Sequence, residues 1–191
     1  MRIIAGKHRG RQLVAPIGDQ TTRPITDRVK QSLFDRLMAA DVLDDAVVAD
    51  LFSGTGSMGM ECLSRGAAFV TFVERDRSAL KGLGENLEKF RETELSRVLS
   101  MDALGAAVVD VLRGRPCTLL FVDPPYAMMA DQRTRGRIME QIERLAEAAV
   151  SGALLVLRVE SSIEAQPAAG WDGPDVHGYG SMTLHFYHRS G

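Results

Sequence analysis

The chain has 191 residues, 45% of them hydrophobic and 25% charged, with a formal net charge of -2 and two cysteines. That length accommodates one α/β domain, and the composition is that of an ordinary soluble globular protein. No apolar run approaches the roughly 20 residues that span a bilayer, the first residues contain no signal-peptide core, and Cys62 and Cys117 in apolar surroundings argue against a disulfide or metal framework, so a reducing, cytoplasmic setting is expected.

Residues 2–5 and 11–15 are short apolar-basic runs around Gly6-Lys7-His8-Arg9-Gly10 and predict a β-hairpin. Through Lys30 the chain carries seven basic residues against Asp19 and Asp27, a balance of +5 that leaves -7 for the remainder of a chain whose net charge is -2. An acidic body with a basic arm points to a polyanionic partner met by the arm; a solvated hairpin would carry the same charges. Residues 16–25, with Pro16, Gly18 and Pro24, predict a loop. Thr26 or Asp27 then caps a helix whose apolar positions Val29, Leu33, Phe34, Leu37 and Met38 form one stripe.

From there strand and helix alternate. Strands are predicted over 46–51, 69–74, 97–101, 118–122 and 152–159, and helices over 57–65, 78–90, 103–112 and 133–149. This spacing predicts a parallel sheet covered on both faces. Residues 176–179 and 182–188 follow without an intervening helix, around Gly180-Ser181, and predict a terminal antiparallel hairpin. His177, His185 and His188 show no metal spacing, and no metal is expected.

Two strand ends carry chemistry. Asp50-Leu51-Phe52-Ser53-Gly54-Thr55-Gly56-Ser57-Met58-Gly59 joins the first strand to its helix. Gly54 and Gly56 permit a tight turn and close approach of a ligand, and the helix start offers free N–H groups. Gly54-x-Gly56-x-x-Gly59 matches the dinucleotide fingerprint, and Glu74 ends the second strand where a ribose-binding carboxylate stands. Asp50 would repel a pyrophosphate but can pair with an ammonium group; a structural capping carboxylate is the alternative. Asp102 can accept from an adenine amino group or cap the following helix.

The second end is Asp123-Pro124-Pro125-Tyr126. Two prolines fix φ and remove two donors, leaving carbonyls and a carboxylate beside an aromatic ring. Such an acceptor-rich ledge suits a planar base with an exocyclic amino group, and leaves adenine, guanine and cytosine open.

These two motifs, the block Arg2-Ile3-Ile4-Ala5-Gly6-Lys7-His8-Arg9-Gly10-Arg11 and the segment Thr22-Arg23-Pro24-Ile25-Thr26-Asp27-Arg28-Val29-Lys30 together resemble the bacterial small-subunit (16S) ribosomal RNA guanine-N2 methyltransferases over nearly the whole chain. The resemblance implies a class I, Rossmann-like methyltransferase fold: a seven-stranded, mostly parallel sheet with an antiparallel last strand, preceded by the hairpin arm. It implies an RNA-contacting arm and loop at 1–25 and a methyltransferase domain at 26–191. It places S-adenosylmethionine among Asp50, Phe52, Gly54, Gly56, Glu74, Asp102 and Ala103, with residues 26–29 near its methionyl end. Asp123, Pro124, Pro125 and Tyr126 would hold the guanine, the carboxylate and the Pro124 carbonyl accepting its N–H bonds and the ring stacking on the base. Arg2, Lys7, Arg9, Arg11 and Arg23 would contact RNA phosphates, which position without reading sequence. The expected partner is small-subunit ribosomal RNA, alone or in an assembling subunit, with no membrane and a monomeric chain. Three other readings stand beside it: an adenine-N6 methyltransferase using the same ledge, an NAD-dependent oxidoreductase, and a non-catalytic RNA-binding assembly factor.

Overall fold

A computed structural model describes residues 1–14 and 25–191. Arg23 and nearly all of the predicted loop lie outside the described residues. In chain order the elements are α1 (Asp27–Ala39), β1 (Val47–Leu51), α2 (Ser57–Ser64), β2 (Phe69–Glu74), α3 (Arg77–Phe90), β3 (Ser96–Ser100), α4 (Ala106–Arg113), β4 (Cys117–Val122), α5 (Tyr126–Ala130), α6 (Gln132–Leu145), a short 3-10 turn at Ala146–Ala148, β5 (Ala149–Glu160), β6 (Trp171–Tyr179) and β7 (Met182–Arg189).

The strands form one seven-stranded sheet in the order β3-β2-β1-β4-β5-β7-β6. The β1–β2, β1–β4, β2–β3 and β4–β5 pairs are parallel, and β7 runs antiparallel to both β5 and β6. Side-chain alternation divides the apolar residues between two cores. Val48, Phe72, Phe121, Val156 and Leu184 face α1, α2 and α3 on one side. Leu51, Val73, Val122, Leu157 and Tyr187 face α4 and α6 on the other. Both faces of β1, β2, β4 and the second half of β5 are buried, so these strands read as near-continuous apolar runs, whereas the edge strand β3 is mostly exposed.

The departures from the sequence reading have local causes. Met38 is 55% exposed, because α1 buries Val29, Leu33, Phe34 and Leu37 and turns its last apolar residue outward. The fourth predicted helix starts at Ala106, not 103, since residues 102–105 form a turn in which Leu104 and Gly105 N–H groups bond Asp102. The N-cap is Gly105, so the helix-capping alternative for Asp102 does not hold. The predicted 133–149 helix is α6, which ends at Leu145 and is followed by the 3-10 turn. Asp131 caps α6 by accepting from the Thr134 N–H, and the chain enters β5 at Ala149. The strand β6 starts at Trp171, well before 176; Pro174 cannot donate to the ladder, and the register shifts between Asp172 and Asp175.

The N-terminal residues form a narrow antiparallel ribbon with one bridge, Arg2 to Gln12. Ile3 and Leu13 are buried in the same core as Val29 and Leu33. The ribbon is anchored by Glu61 on α2, itself fully buried, which accepts from the Ile4 and Ala5 N–H groups at 2.8 and 3.0 Å. The same carboxylate meets Lys30 Nζ at 3.0 Å and Arg65 Nε at 2.9 Å. Burial lowers the Lys30 pKa, and Glu61 opposes that. Gly6 lies so close to Ser64 that a Cβ would fall 1.8 Å from its carbonyl oxygen. No helix among the described residues is long and apolar enough to cross a membrane.

Candidate active site

Parallel strands put their carboxyl ends on one edge of the sheet, and the chain order β2-β1-β4 brings three of those ends together. Asp50 pairs in register with Phe72 of β2 and Phe121 of β4, so the loop after β1 lies between Glu74 and Asp123. This is the crevice where doubly wound sheets bind ligands.

The loop after β1 is shaped by two constraints. Gly56 has φ 86°, and Gly59 sits so near the Phe72 ring that a Cβ would meet it at 2.3 Å. Small residues are therefore required for α2 to close on β2. Asp50 lies beneath this turn, 1% exposed, and its Oδ2 accepts from the Gly59 N–H at 2.9 Å. Burial pushes its carboxyl up from 3.8 to about 7; Asp123 and Glu74 push the same way, and the Gly59 bond opposes them. Phe52 occupies the left-handed region at φ 59°, a conformation that costs a non-glycine residue roughly 1–2 kcal/mol. Strain of this kind clusters where a loop is held for function.

Glu74 organises the opposite wall. Its Oε2 accepts from the Gly54 N–H at 2.8 Å, and its Oε1 accepts from Arg75 and Asp76 N–H groups. A Cβ on Gly54 would meet nothing within 4 Å, so this backbone faces open space. Asp102 accepts from Leu104 N–H and meets Arg75 Nη1 at 3.1 Å, and Ala103 is buried. Asp50, Phe52, Gly54, Gly56 and Glu74 therefore gather at the carboxyl edge of β1 and β2, with Asp102 and Ala103 just past the end of β3.

The ledge after β4 is tied to β1 by the Asp123 N–H, which donates to the Leu51 carbonyl at 3.3 Å. Pro124 is buried, and Pro125 precedes α5, its carbonyl accepting from Met128 N–H. Tyr126 is the first residue of a short helix that the sequence reading did not predict; its ring is half-buried.

One residue was missed by the sequence reading altogether. Arg158 on β5 donates from Nε to Asp123 Oδ1 at 2.6 Å, and its guanidinium lies 5.7 Å from the Tyr126 ring centroid. It is 6% exposed. Burial raises the Asp123 pKa, and Arg158 opposes that rise. A lone arginine inside the apolar run of 153–159 was the available signal, since a buried charge in a strand calls for a partner.

Three of the arm cations are engaged within the protein. Arg2 pairs with Asp27 at 2.8 Å and Lys7 with Glu92 at 2.8 Å. Arg11 lies 4.1 Å over the Phe90 ring and donates to the Lys89 carbonyl. His8 bonds the same Glu92 carboxylate. Arg9 is exposed, and Arg2 and Lys7 keep about half of their side-chain surface.

The donor set fits a cationic nucleoside cofactor. A fully buried carboxylate titrating near neutrality beside two further carboxylates is relieved by a positive ligand charge. Open backbone at Gly54 leaves room for it.

Comparison with known proteins gives the following. The protein-family model described as "Conserved hypothetical protein 95" matches residues 1–188. The chain is 36% identical over 164 residues to the ribosomal RNA small subunit methyltransferase D of Escherichia coli (strain K12), covering 86% of this chain and 76% of that one. A solved Escherichia coli protein described as a methyltransferase, yhhF, superposes with a TM-score of 0.81 at 32% identity, covering 100% of this chain and 98% of that chain. A Salinibacter ruber RNA methyltransferase in complex with S-adenosyl-L-homocysteine shares the fold, with a TM-score of 0.60 at 18% identity over 88% of this chain and 94% of that chain.

Proposed function

The chain belongs to the family described as conserved hypothetical protein 95 and, by its likeness to the Escherichia coli enzyme, to the small-subunit ribosomal RNA methyltransferases, and from that membership we propose that it methylates the exocyclic N2 of a guanine in 16S ribosomal RNA. It is an enzyme, and its methyl donor is S-adenosylmethionine. The observation that supports methyl transfer to an exocyclic amine is the placement of Asp123 one strand away from Asp50, with the acceptor ledge and the cofactor loop on the same edge of the sheet; the choice of guanine rests on the family.

When bound, S-adenosylmethionine supplies an electrophilic methyl group on a sulfonium centre. Glu74 and Asp102 offer carboxylate oxygens for its ribose and adenine, Asp50 offers negative charge to its ammonium end, and Phe52, Gly54, Gly56 and Ala103 shape the walls. Asp123 and the Pro124 carbonyl accept the two N–H bonds of the guanine amino group and favour a pyramidal nitrogen, whose lone pair then faces the methyl carbon. Tyr126 stacks on the extruded base. Methylation would leave the guanine nitrogen acidic enough to pass a proton to solvent, so no strong base is required of this chain. Orienting the two reactants supplies several kcal/mol of the rate enhancement. Arg158 holds Asp123 in place and favours its ionised form.

The exposed cations of the arm, Arg2, Lys7, Arg9 and Arg11, and Arg23 provide phosphate contacts. The enzyme acts as a monomer in the cytoplasm, on ribosomal RNA alone or within an assembling subunit. Transfer of labelled methyl groups onto unmodified small-subunit ribosomal RNA, followed by mapping of the modified base, tests the proposal. Label at guanine N2 is the expected result; label at adenine N6 would overturn the guanine assignment.

A further inference from the structure

The β6–β7 turn lies on the same edge of the sheet as the catalytic ledge. Met182, the first residue of β7, pairs with Glu160 at the end of β5 and with Tyr179 at the end of β6. The face is shared too. Arg158, which holds Asp123, stands on β5 in register with Leu184, and Leu184 with His177 on β6. Leu184 and Tyr179 both pack on the side of the sheet covered by α1.

Between α1 and this turn lies a pocket of about 460 Å³ lined by Arg28, Val29, Ser32, Gly178, Tyr179 and Gly180. Its volume falls within the range of ligand sites, roughly 300–1,000 Å³. The lining combines a cation, a half-buried aromatic ring and two exposed glycines that keep the mouth low. Ser32 Oγ donates to the Tyr179 hydroxyl at 3.1 Å and so fixes the ring. Arg28, Ser32 and Arg36 are spaced four apart and share one stripe of α1. Arg36 extends that stripe to His177 Nδ1, at 3.1 Å. The nearby carboxylates are already paired, Asp27 with Arg2 and Asp175 with His177.

We propose that this pocket is a second nucleotide site, in which a base flanking the target stacks on Tyr179 while the adjoining phosphate meets Arg28. The inference rests on the RNA-methylating reading above and adds a place where the substrate strand is held beyond the methylated base. The reach is right. Asp123 and Tyr179 stand on or next to strands three positions apart, roughly 14 Å at ~4.8 Å per strand. A stacked strand rises ~3.4 Å per nucleotide, so the site takes a base within a few nucleotides of the target. A ring, a guanidinium and an adjacent backbone cleft are what a single strand needs: stacking tolerates any base, and the cation tracks the phosphate.

The test uses the full chain and unmodified small-subunit ribosomal RNA carrying 4-thiouridine near the methylated base. Irradiation is expected to crosslink the RNA to Tyr179 in the wild type. Tyr179→Ala is expected to raise the KM for RNA about tenfold, with the loss in KM rather than kcat. Tyr179→Phe keeps the ring face and is expected to recover the lost affinity. Arg28→Ala, an exposed position that leaves the core untouched, is expected to reduce the slope of log affinity against log salt by about one. Unchanged RNA affinity in both alanine variants would overturn the site. So would a Phe variant as impaired as the Ala variant, which would mean that the hydroxyl tie to Ser32 matters and the ring face does not. A wild type that transfers no methyl group refutes the enzymatic reading instead, and the crosslink still reports on the pocket.

Discussion

Asp50→Asn is expected to make this protein more stable while it loses its cofactor. Asp50 is 1% exposed, and its carboxyl titrates at about 7 against an ordinary 3.8, chiefly through burial. At ~1.36 kcal/mol per pH unit, ionised Asp50 costs the folded state about 4 kcal/mol at pH 8. The sign follows from proton counting. Between 3.8 and about 7 the folded state binds more protons than the unfolded one, so stability falls as pH rises through that window and levels off above it. The asparagine amide keeps an acceptor for the Gly59 N–H and carries no charge. The stability difference between the Asp50→Asn variant and the wild type should therefore be near zero at pH 4, grow by about 1.4 kcal/mol per unit, and flatten above pH 7. In melting temperature the plateau amounts to roughly 10 °C for a domain of this size. Urea titrations of both proteins from pH 4 to 8 measure it, and titrating groups that do not interact with Asp50 cancel in the difference. A pH-independent difference, or a variant that is less stable than the wild type at pH 8, refutes the reasoning. The same argument fixes the cofactor linkage. A cationic ligand draws Asp50 back down, so S-adenosylmethionine binding to the wild type should release a proton near pH 7, measurable by calorimetry in buffers of different ionisation enthalpy.

Other expectations follow from the same geometry. Arg158→Met removes the group that opposes the upward shift of Asp123, so the acidic limb of the rate profile should move to higher pH; an unmoved limb would show that Arg158 does not act through Asp123. Asp123→Ala should fold and bind both cofactor and RNA yet transfer no methyl group, as read by calorimetry and labelled transfer. Gly59→Ala drives a methyl group into the Phe72 ring and should cost about 1–3 kcal/mol, seen as a lower urea midpoint. Glu61→Ala leaves Lys30 buried without its carboxylate and frees the Ile4 and Ala5 N–H groups, a loss of about 3–5 kcal/mol accompanied by faster hydrogen exchange in residues 3–13.

Much of the crevice was legible because it is built from local signals at strand ends. Asp50 with its glycines, Glu74 and Asp123-Pro124-Pro125-Tyr126 each sit within a few residues of an apolar run. A parallel sheet has one carboxyl edge, so finding the runs also places their ends. What stayed hidden couples residues distant along the chain. Arg158 reaches Asp123 across 35 positions, and Glu61 grips the arm backbone across 56 and 57. The arm illustrates the limit best. Its charge pattern pointed to a polyanionic partner, but did not show that Ile3 and Leu13 enter the core or that Arg2, Lys7 and Arg11 also have partners within the protein.

The sequence alone determined the alternation of strands and helices, the glycine turn and the acceptor ledge, since periodicity, φ restrictions and missing donors act within a few residues of themselves. The tertiary structure alone decided that Asp50 is a buried acid near neutrality, that Arg158 bonds Asp123, and that Tyr179 and Arg28 share a pocket. Burial and electrostatic coupling depend on which strands become neighbours, and strand order is fixed by packing across the whole chain.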